Sequence, residues 1–246
     1  HMPPISMFRD RQRLKGMEYA TCQPCNNGTK GADVTAAFMA RVGQETPEDS
    51  WEVRENRKYL SGIIQSAPGV VEELFDQRKA EHVYIRGPGG ILVPKIRARA
   101  NGPMLKGYMD VFAAKLAMAL YREHIGVALP LEGRIETIVF FNAGLAQQTA
   151  ETMLAILPVG ATLTMGQRHV TDQFAYRYNT DDKEIVAALV GFHSNLHILV
   201  MASSNPIYEG LDTPVFANKC RPGQLLTMIP RKKPVVMLPG LPGWRG

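Results

Sequence analysis

Cys22-Gln23-Pro24-Cys25 is the densest piece of chemistry in the sequence, and Asn26-Asn27-Gly28-Thr29-Lys30 follows it directly. Two thiols at this spacing lie on one tight knuckle, where they can share a tetrahedral ion. A closed zinc site takes four ligands, and the only other cysteine, Cys220, lies far along the chain. A complete four-cysteine site is therefore not available in these residues. Three readings of the pair stand open. It is half of a structural zinc site, or a redox pair, or incidental. Thioredoxin-type pairs sit between a strand and a helix in a βαβ pattern, which the flanks here lack.

The remaining candidates are weaker. His82, His124, His169, His193 and His197 are scattered. His193 and His197 are four apart, but Ser194-Asn195-Leu196 between them reads as a turn, where loop histidines outnumber metal ligands. Asp181-Asp182-Lys183 has the look of a nuclease Asp/Glu-x-Lys element, yet a solvated hairpin turn explains it better. Gly87-Pro88-Gly89-Gly90 lacks the Gly-Lys-Ser/Thr ending of a phosphate loop and precedes a strand. Cys220 reads as a lone buried or loop thiol. Arg231-Lys232-Lys233 reads as a solvated basic turn. Phe174, Tyr176 and Tyr178 could stack on bases, but the core face of a strand is the simpler reading.

The string His1-x-Pro3-Pro4, followed by Met17-Glu18-Tyr19-Ala20-Thr21-Cys22-x-x-Cys25-Asn26-Asn27-Gly28-x-x-Lys30, resembles the second half of an HNH (ββα-metal) endonuclease motif. It is most similar to the bacterial and phage-associated subgroup with a His-x-Pro-Pro … Cys-x-x-Cys-Asn-Asn-Gly front. The likeness covers the first thirty-odd residues. It implies a general-base role for His1, taking a proton from the water that attacks a DNA phosphodiester. It implies that Asn26 pins the hairpin and orients that base. Cys22 and Cys25 match the second pair of structural Zn²⁺ ligands, and Lys30 matches a basic residue that faces the DNA backbone. The family also carries a first CxxC and an acidic residue ahead of the histidine, so the resemblance implies only a half-site for zinc within this sequence. A catalytic divalent metal such as Mg²⁺ or Mn²⁺ is implied as well. No histidine follows in the helix where a catalytic ligand often lies; Asp33 is the nearest acidic residue.

Charge distribution agrees with a polyanionic partner. The net charge is +5 over 246 residues. Residues 1–31 carry five basic and two acidic side chains, and residues 219–246 carry six basic and none acidic, leaving the stretch between at −4. Lys and Arg displace counterions from phosphates, and Arg11, Arg13, Lys15 and Lys30 are the expected nucleic-acid contacts. Solubility alone explains so modest an excess equally well, and charge by itself does not decide between the two. With 45% apolar and 21% charged residues the composition is that of a globular protein. No apolar run is long enough to cross a membrane, no signal peptide opens the chain, and three cysteines fit a reducing, cytoplasmic compartment.

These residues have to be placed by their elements. The pattern predicts an α+β fold: a small HNH-like zinc-knuckle element over 1–45, a helical connector over 46–81, an antiparallel sheet packed with helices over 82–205, and a basic Pro/Gly-rich tail over 206–246. Met17–Thr21 reads as a short strand entering Cys22, and Asn26-Asn27-Gly28 as a turn with positive φ. Val34, Phe38 and Val42 mark a helix stopped by Gly43. Further helices are expected from Pro47 to about Gln65, and from Pro68 with Val71, Leu74, Phe75 and Arg78 on one face. Val83–Arg86 and Ile91–Ala98 bracket a hairpin. Met104–His124 is a long helix with Tyr108, Val111, Phe112, Leu116 and Leu120 on one face, ended by Gly126. A strand over Arg134–Asn142 and a helix over Thr149–Leu157 precede a meander of Ala161–Met165, Gln173–Tyr178, Glu184–Phe192 and His197–Ala202. The tail, Pro206–Gly246, reads as loop.

Overall fold

The computed structural model describes residues 2–8, 15–17, 19, 21–42, 51–76, 78, 80–86, 88–97, 100–141, 151–152, 155–161, 164–165, 168–169, 173–193, 195–205 and 217–231. His1, Arg11 and Arg13 lie outside them. The fold is α+β. Five helices are described: α1 (Gln23–Gly28), α2 (Lys30–Met39), α3 (Trp51–Ser66), α4 (Val70–Leu74) and α5 (Pro103–Ile125). The strands are β1 (Glu81–Arg86), β2 (Leu92–Arg97), β3 (Arg134–Phe141), β4 (Val159–Ala161), β5 (Thr164–Met165), β6 (Arg168–His169), β7 (Phe174–Thr180), β8 (Ile185–Phe192), β9 (Leu196–Ser203) and β10 (Asn218–Cys220). The main sheet has the order β10-β3-β9-β8-β7-β4, antiparallel throughout. Strands β1 and β2 form a separate two-stranded ribbon, and β5 and β6 another.

Alternation sets the sheet's inner face. Along β8 the residues at 186, 188, 190 and 192 are buried while their neighbours are half-exposed, and β9 repeats the pattern, as expected of a sheet with one face on the core. Helix α5 lies on that face, against β3, β8 and β9. Its other side packs on α2 and α4. Burial therefore runs nearly all round α5: Leu105, Met109, Ala113, Ala117 and Tyr121 are covered as well as the expected stripe of Tyr108, Val111, Phe112, Leu116 and Leu120. A single expected apolar face was too narrow, because a helix sandwiched between two layers needs none of its sides wet. Phe112 meets Phe192 edge-on at 5.7 Å, and Phe174 does the same with Phe8 at 6.3 Å.

Both ends of α5 are closed. Gly102 offers no side-chain cap, and the carboxylate of Glu73 from α4 accepts the N–H groups of Met104 (3.0 Å) and Leu105 (2.9 Å) instead. A carboxylate there satisfies orphan donors and complements the helix dipole. At the far end Gly126 takes the left-handed conformation, φ 83°, as expected from the sequence.

Several boundaries depart from the sequence reading. Met17, Tyr19 and Thr21 are not strand; the chain enters the knuckle as an irregular segment. Helix α2 ends at Met39, so Val42 lies beyond it. Helix α4 is only five residues long, and Phe75 and Arg78 are exposed past its end. The tail is not all loop, since Asn218–Cys220 pairs with β3 as the edge strand. Of the helix expected over Thr149–Leu157, residues 151–152 and 155–156 are helical among those described. The turn expected at Asp181-Asp182-Lys183 holds. Asp181 Oδ1 accepts the backbone N–H groups of Lys183, Glu184 and Ile185, which holds its pKa below the usual carboxylate range and leaves it a turn residue. Phe174 and Tyr176 are buried on the core face of β7.

Burial holds both His124 and His197 below the ordinary imidazole value, in His124 against the opposing charges of Glu123 and Asp182. His124 stacks on Tyr178 at 3.8 Å and lies 3.3 Å from the Tyr176 hydroxyl; His197 Nδ1 is buried without a hydrogen-bond partner among the described residues. Each stays neutral in the fold at a pH where the unfolded chain takes up a proton, so each contributes stability that is whole above about pH 6.5 and drains away as pH falls below it. Thermal melts across pH 8 to 5 are expected to show a Tm that drops below pH 6.5. A double variant, His124→Gln with His197→Gln, should flatten that drop; an unchanged slope would overturn the assignment.

Candidate functional site

The knuckle is built by the cysteine spacing. Cys22 is the N-cap of α1, with extended backbone (φ −60°, ψ 145°), and its Sγ accepts the Cys25 N–H at 3.3 Å. Cys25 stands one turn in, so both thiols face one another across the helix start. Their hydrogen bonding splits them. The Cys22 thiol is pulled below the ordinary value by the bonds it accepts from Cys25, and the Cys25 thiol is pushed above it by the same contact and by desolvation. Cys22 is exposed and Cys25 half-buried. Thr29, buried behind them, donates its hydroxyl to the Cys25 carbonyl at 2.8 Å and joins α1 to α2.

Asn26-Asn27-Gly28 is helical, and Gly28 has no positive φ. A Cβ at Gly28 would come within 2.6 Å of a terminal methyl of Leu226 in the tail, an exposed side chain that can turn aside. Gly31 is fixed more strictly, since a Cβ there would sit 2.2 Å from the Ser66 carbonyl oxygen at the end of α3. The knuckle is thus pressed against two other parts of the chain.

One buried charge pair fastens it to α5. Asp33, on the first turn of α2, accepts from Lys115 Nζ at 2.5 Å, and the two side chains are only 18% and 14% exposed. Burial drives the Asp33 carboxyl upward, with the Lys115 charge opposing it. Asp33 is therefore committed to Lys115, not presented to an ion.

The His-x-Pro-Pro side is held by clamps that no local pattern announces. Residues 5–7 form a single 3-10 turn. Its carbonyls are taken by Arg41, which donates to Ser6 O at 3.2 Å and Met7 O at 2.8 Å, by the Tyr59 hydroxyl to Ser6 O at 2.6 Å, and by His193, whose Nε2 lies 2.7 Å from Met7 O. His193 thus holds the chain, and is no partner of His197 in a metal site. Asn195 next to it donates to Met39 O at 2.5 Å, closing the C-terminus of α2.

The result is a cleft of about 590 Å³ whose lining includes Met2, Cys22, Cys25, Asn26, Lys115 and Arg122. Residue 2 and the Cys-x-x-Cys-Asn run, twenty residues apart, reach one wall. Sequence reasoning missed Lys115 and Arg122, which stand two turns apart on one face of α5; their only signal is a pair of basic residues at i, i+7. Tyr19 also lines the cleft and donates to Glu123; burial and that carboxylate push its hydroxyl far up. Lys15 and Lys30 are exposed and do not line the cleft.

Two thiols fit one edge of a tetrahedral zinc site. Among the described residues no three His, Cys, Asp or Glu side chains are grouped as metal ligands, so those residues offer no ligand set for a catalytic cation. No described helix is long and apolar enough to cross a membrane.

Removing one partner of the buried pair strands the other's charge, at a cost of about 3 kcal/mol, whereas replacing both with apolar groups is close to neutral. Lys115→Met alone should therefore lower the urea midpoint sharply, and Asp33→Leu with Lys115→Met should recover most of it. Equal effects of single and double variants would contradict the pairing. Compared with models of protein families, with curated proteins and with solved structures, the chain matches none.

Proposed function

We propose that the chain is an HNH-like endonuclease that hydrolyses DNA phosphodiester bonds. The observation that supports this most is the convergence of the two ends of the matching string, Met2 within the His-x-Pro-Pro start and Cys22, Cys25 and Asn26, on one cleft that also carries Arg122. In this reading His1 takes the proton from the attacking water and Asn26, exposed at the cleft wall, helps to position it. Cys22 and Cys25 hold one side of a structural Zn²⁺, which would brace an element too small for its own core. A divalent cation such as Mg²⁺ or Mn²⁺ supplies charge stabilisation at the phosphate; the described residues do not form its cage, and no step is routed through it. Arg122 meets the charge of the entering strand.

The second reading is a zinc-stapled nucleic-acid-binding or scaffold protein that does not cut. The engagement of Asp33, the acidic residue nearest the knuckle, by Lys115 favours it.

Two measurements separate these. Supercoiled plasmid incubated with the protein and Mn²⁺ or Mg²⁺ is expected to be nicked, with His1→Ala slower by about 10²-fold or more. A correctly folded protein that leaves the plasmid intact with both ions would move the assignment to the scaffold. Zinc bound by two thiolates alone should be weak and lost to a mild chelator; tight, stoichiometric zinc in the 246-residue protein would show that other residues complete the site.

A further inference from the structure

Among the described residues the β1–β2 ribbon, like the shorter β5–β6 pair, packs chiefly on itself. It is fully zipped over six pairs, from Glu81 opposite Arg97 to Arg86 opposite Leu92. Two-stranded ribbons are marginal by themselves in water, and this one also shows large side chains to solvent. Tyr84 is 70% exposed, Ile91 69% and Leu92 62%. His82, Arg86 and Pro94 are exposed as well. Register places Tyr84 opposite Pro94 and Arg86 opposite Leu92, and directly opposed residues share a face. One face of the ribbon therefore mixes an aromatic ring, aliphatic groups and a guanidinium.

Charge selects the occupant. Residues 81–97 hold Arg86, Lys95 and Arg97 against Glu81, net +2, Lys79 and Arg99 flank them in the sequence, and Arg78 is paired with Asp76. Such a ribbon repels a second copy of itself and attracts a polyanion. Its size fits a particular polyanion. Strands lie about 4.8 Å apart and six residues span about 20 Å, and the major groove of B-form DNA, about 12 Å wide, admits a two-stranded ribbon. The deep, narrow major groove of duplex RNA does not.

We infer that the β1–β2 ribbon is a duplex-DNA docking element that enters the major groove, with Arg86 on the backbone or a base edge and Tyr84 and Leu92 against the groove's apolar atoms. This surface is separate from the Cys22–Cys25 cleft, and it binds whether or not the protein cuts.

The test is fluorescence anisotropy with the full chain and a 20-base-pair DNA duplex in EDTA, over a series of salt concentrations, so that binding is read without cleavage. The wild-type protein should bind with a salt dependence to which the ribbon contributes. Arg86→Gln should reduce the slope of log affinity against log salt by about 1. Replacing Arg86, Lys95, Arg97 and Arg99 together by Gln should reduce it by about 3 and weaken binding by about 10²-fold at low salt. Tyr84→Ala, an exposed change that leaves the melting temperature in place, should weaken binding severalfold. Duplex RNA of the same length should bind at least tenfold more weakly. Unchanged affinity and slope in folded ribbon variants, equal binding of duplex RNA, or a ribbon that instead drives self-association in light scattering would each overturn the inference. Plasmid nicking lost with binding intact would count against the nuclease alone.

Discussion

Helix α5 is apolar on nearly every side, and a helix of that kind must be covered on every side. The antiparallel sheet takes one flank, through β3, β8 and β9, and the front of the chain takes the other, through α2 and α4. The ends are handled as strictly as the flanks, by Glu73 at one and Gly126 at the other. Once this helix is fixed, few positions are left for the Cys-x-x-Cys element. It lies where α2 can cover α5, and the cleft is what remains between the knuckle, the last turns of α5 and the tail.

A six-residue helix and its ten-residue successor cannot bury enough surface to hold a fixed orientation alone. Here they are positioned by a few specific contacts. Asp33 meets Lys115 inside the interface, Gly31 lets α2 touch the Ser66 carbonyl, Gly28 lets α1 touch Leu226, and Asn195 closes the end of α2. The charge pair adds little net stability, because desolvating two ions offsets most of their attraction. Its effect is on register. A one-turn slip of α2 along α5 would leave both charges buried apart, which is far costlier than any apolar mismatch the slip would create. A small element carrying two thiols is thereby held to one alignment against a long helix.

The parts of this arrangement that were legible in the sequence are those written in local periodicity or local turn chemistry. Strands β7, β8 and β9 alternate cleanly, α5 is long and ends in Gly126, and Asp181 sits in a turn that its own carboxylate organises. The thiol pair was legible because its geometry depends on four consecutive residues. What was not legible is long-range. Asn218–Cys220 shows no period-two signal in three residues, yet its edge pairing with β3 is set by what the neighbouring strand offers. Asn26-Asn27-Gly28 has the composition of a loop, but the Cys22 cap starts a helix there. His193 read as a loop histidine, but nothing local showed that it would hold Met7 of the distant N-terminal segment. Lys115 and Arg122 carried no motif at all; only the packing of α5 beside the knuckle makes them part of a site.

The electrostatics of the cleft also limit what it can do alone. Its cationic lining side chains are Lys115 and Arg122, and Lys115 is already neutralised by Asp33. Among the described residues, a phosphodiester entering this cleft would meet the Arg122 guanidinium, together with methionine and leucine side chains that neither repel nor attract charge. One Arg–phosphate contact is a small share of what protein–DNA binding uses, since affinity in such complexes grows with the number of phosphates neutralised. Excess positive charge lies elsewhere in the chain, in the ribbon segment and toward both ends, while the stretch from 32 to 218 as a whole is acidic. On the proposed reading, affinity and position would be carried by different parts of the molecule. A polyanion would be held by basic elements outside the cleft, and the rigidly registered knuckle would decide only which bond of the bound strand lies against the two thiols, Asn26 and Arg122.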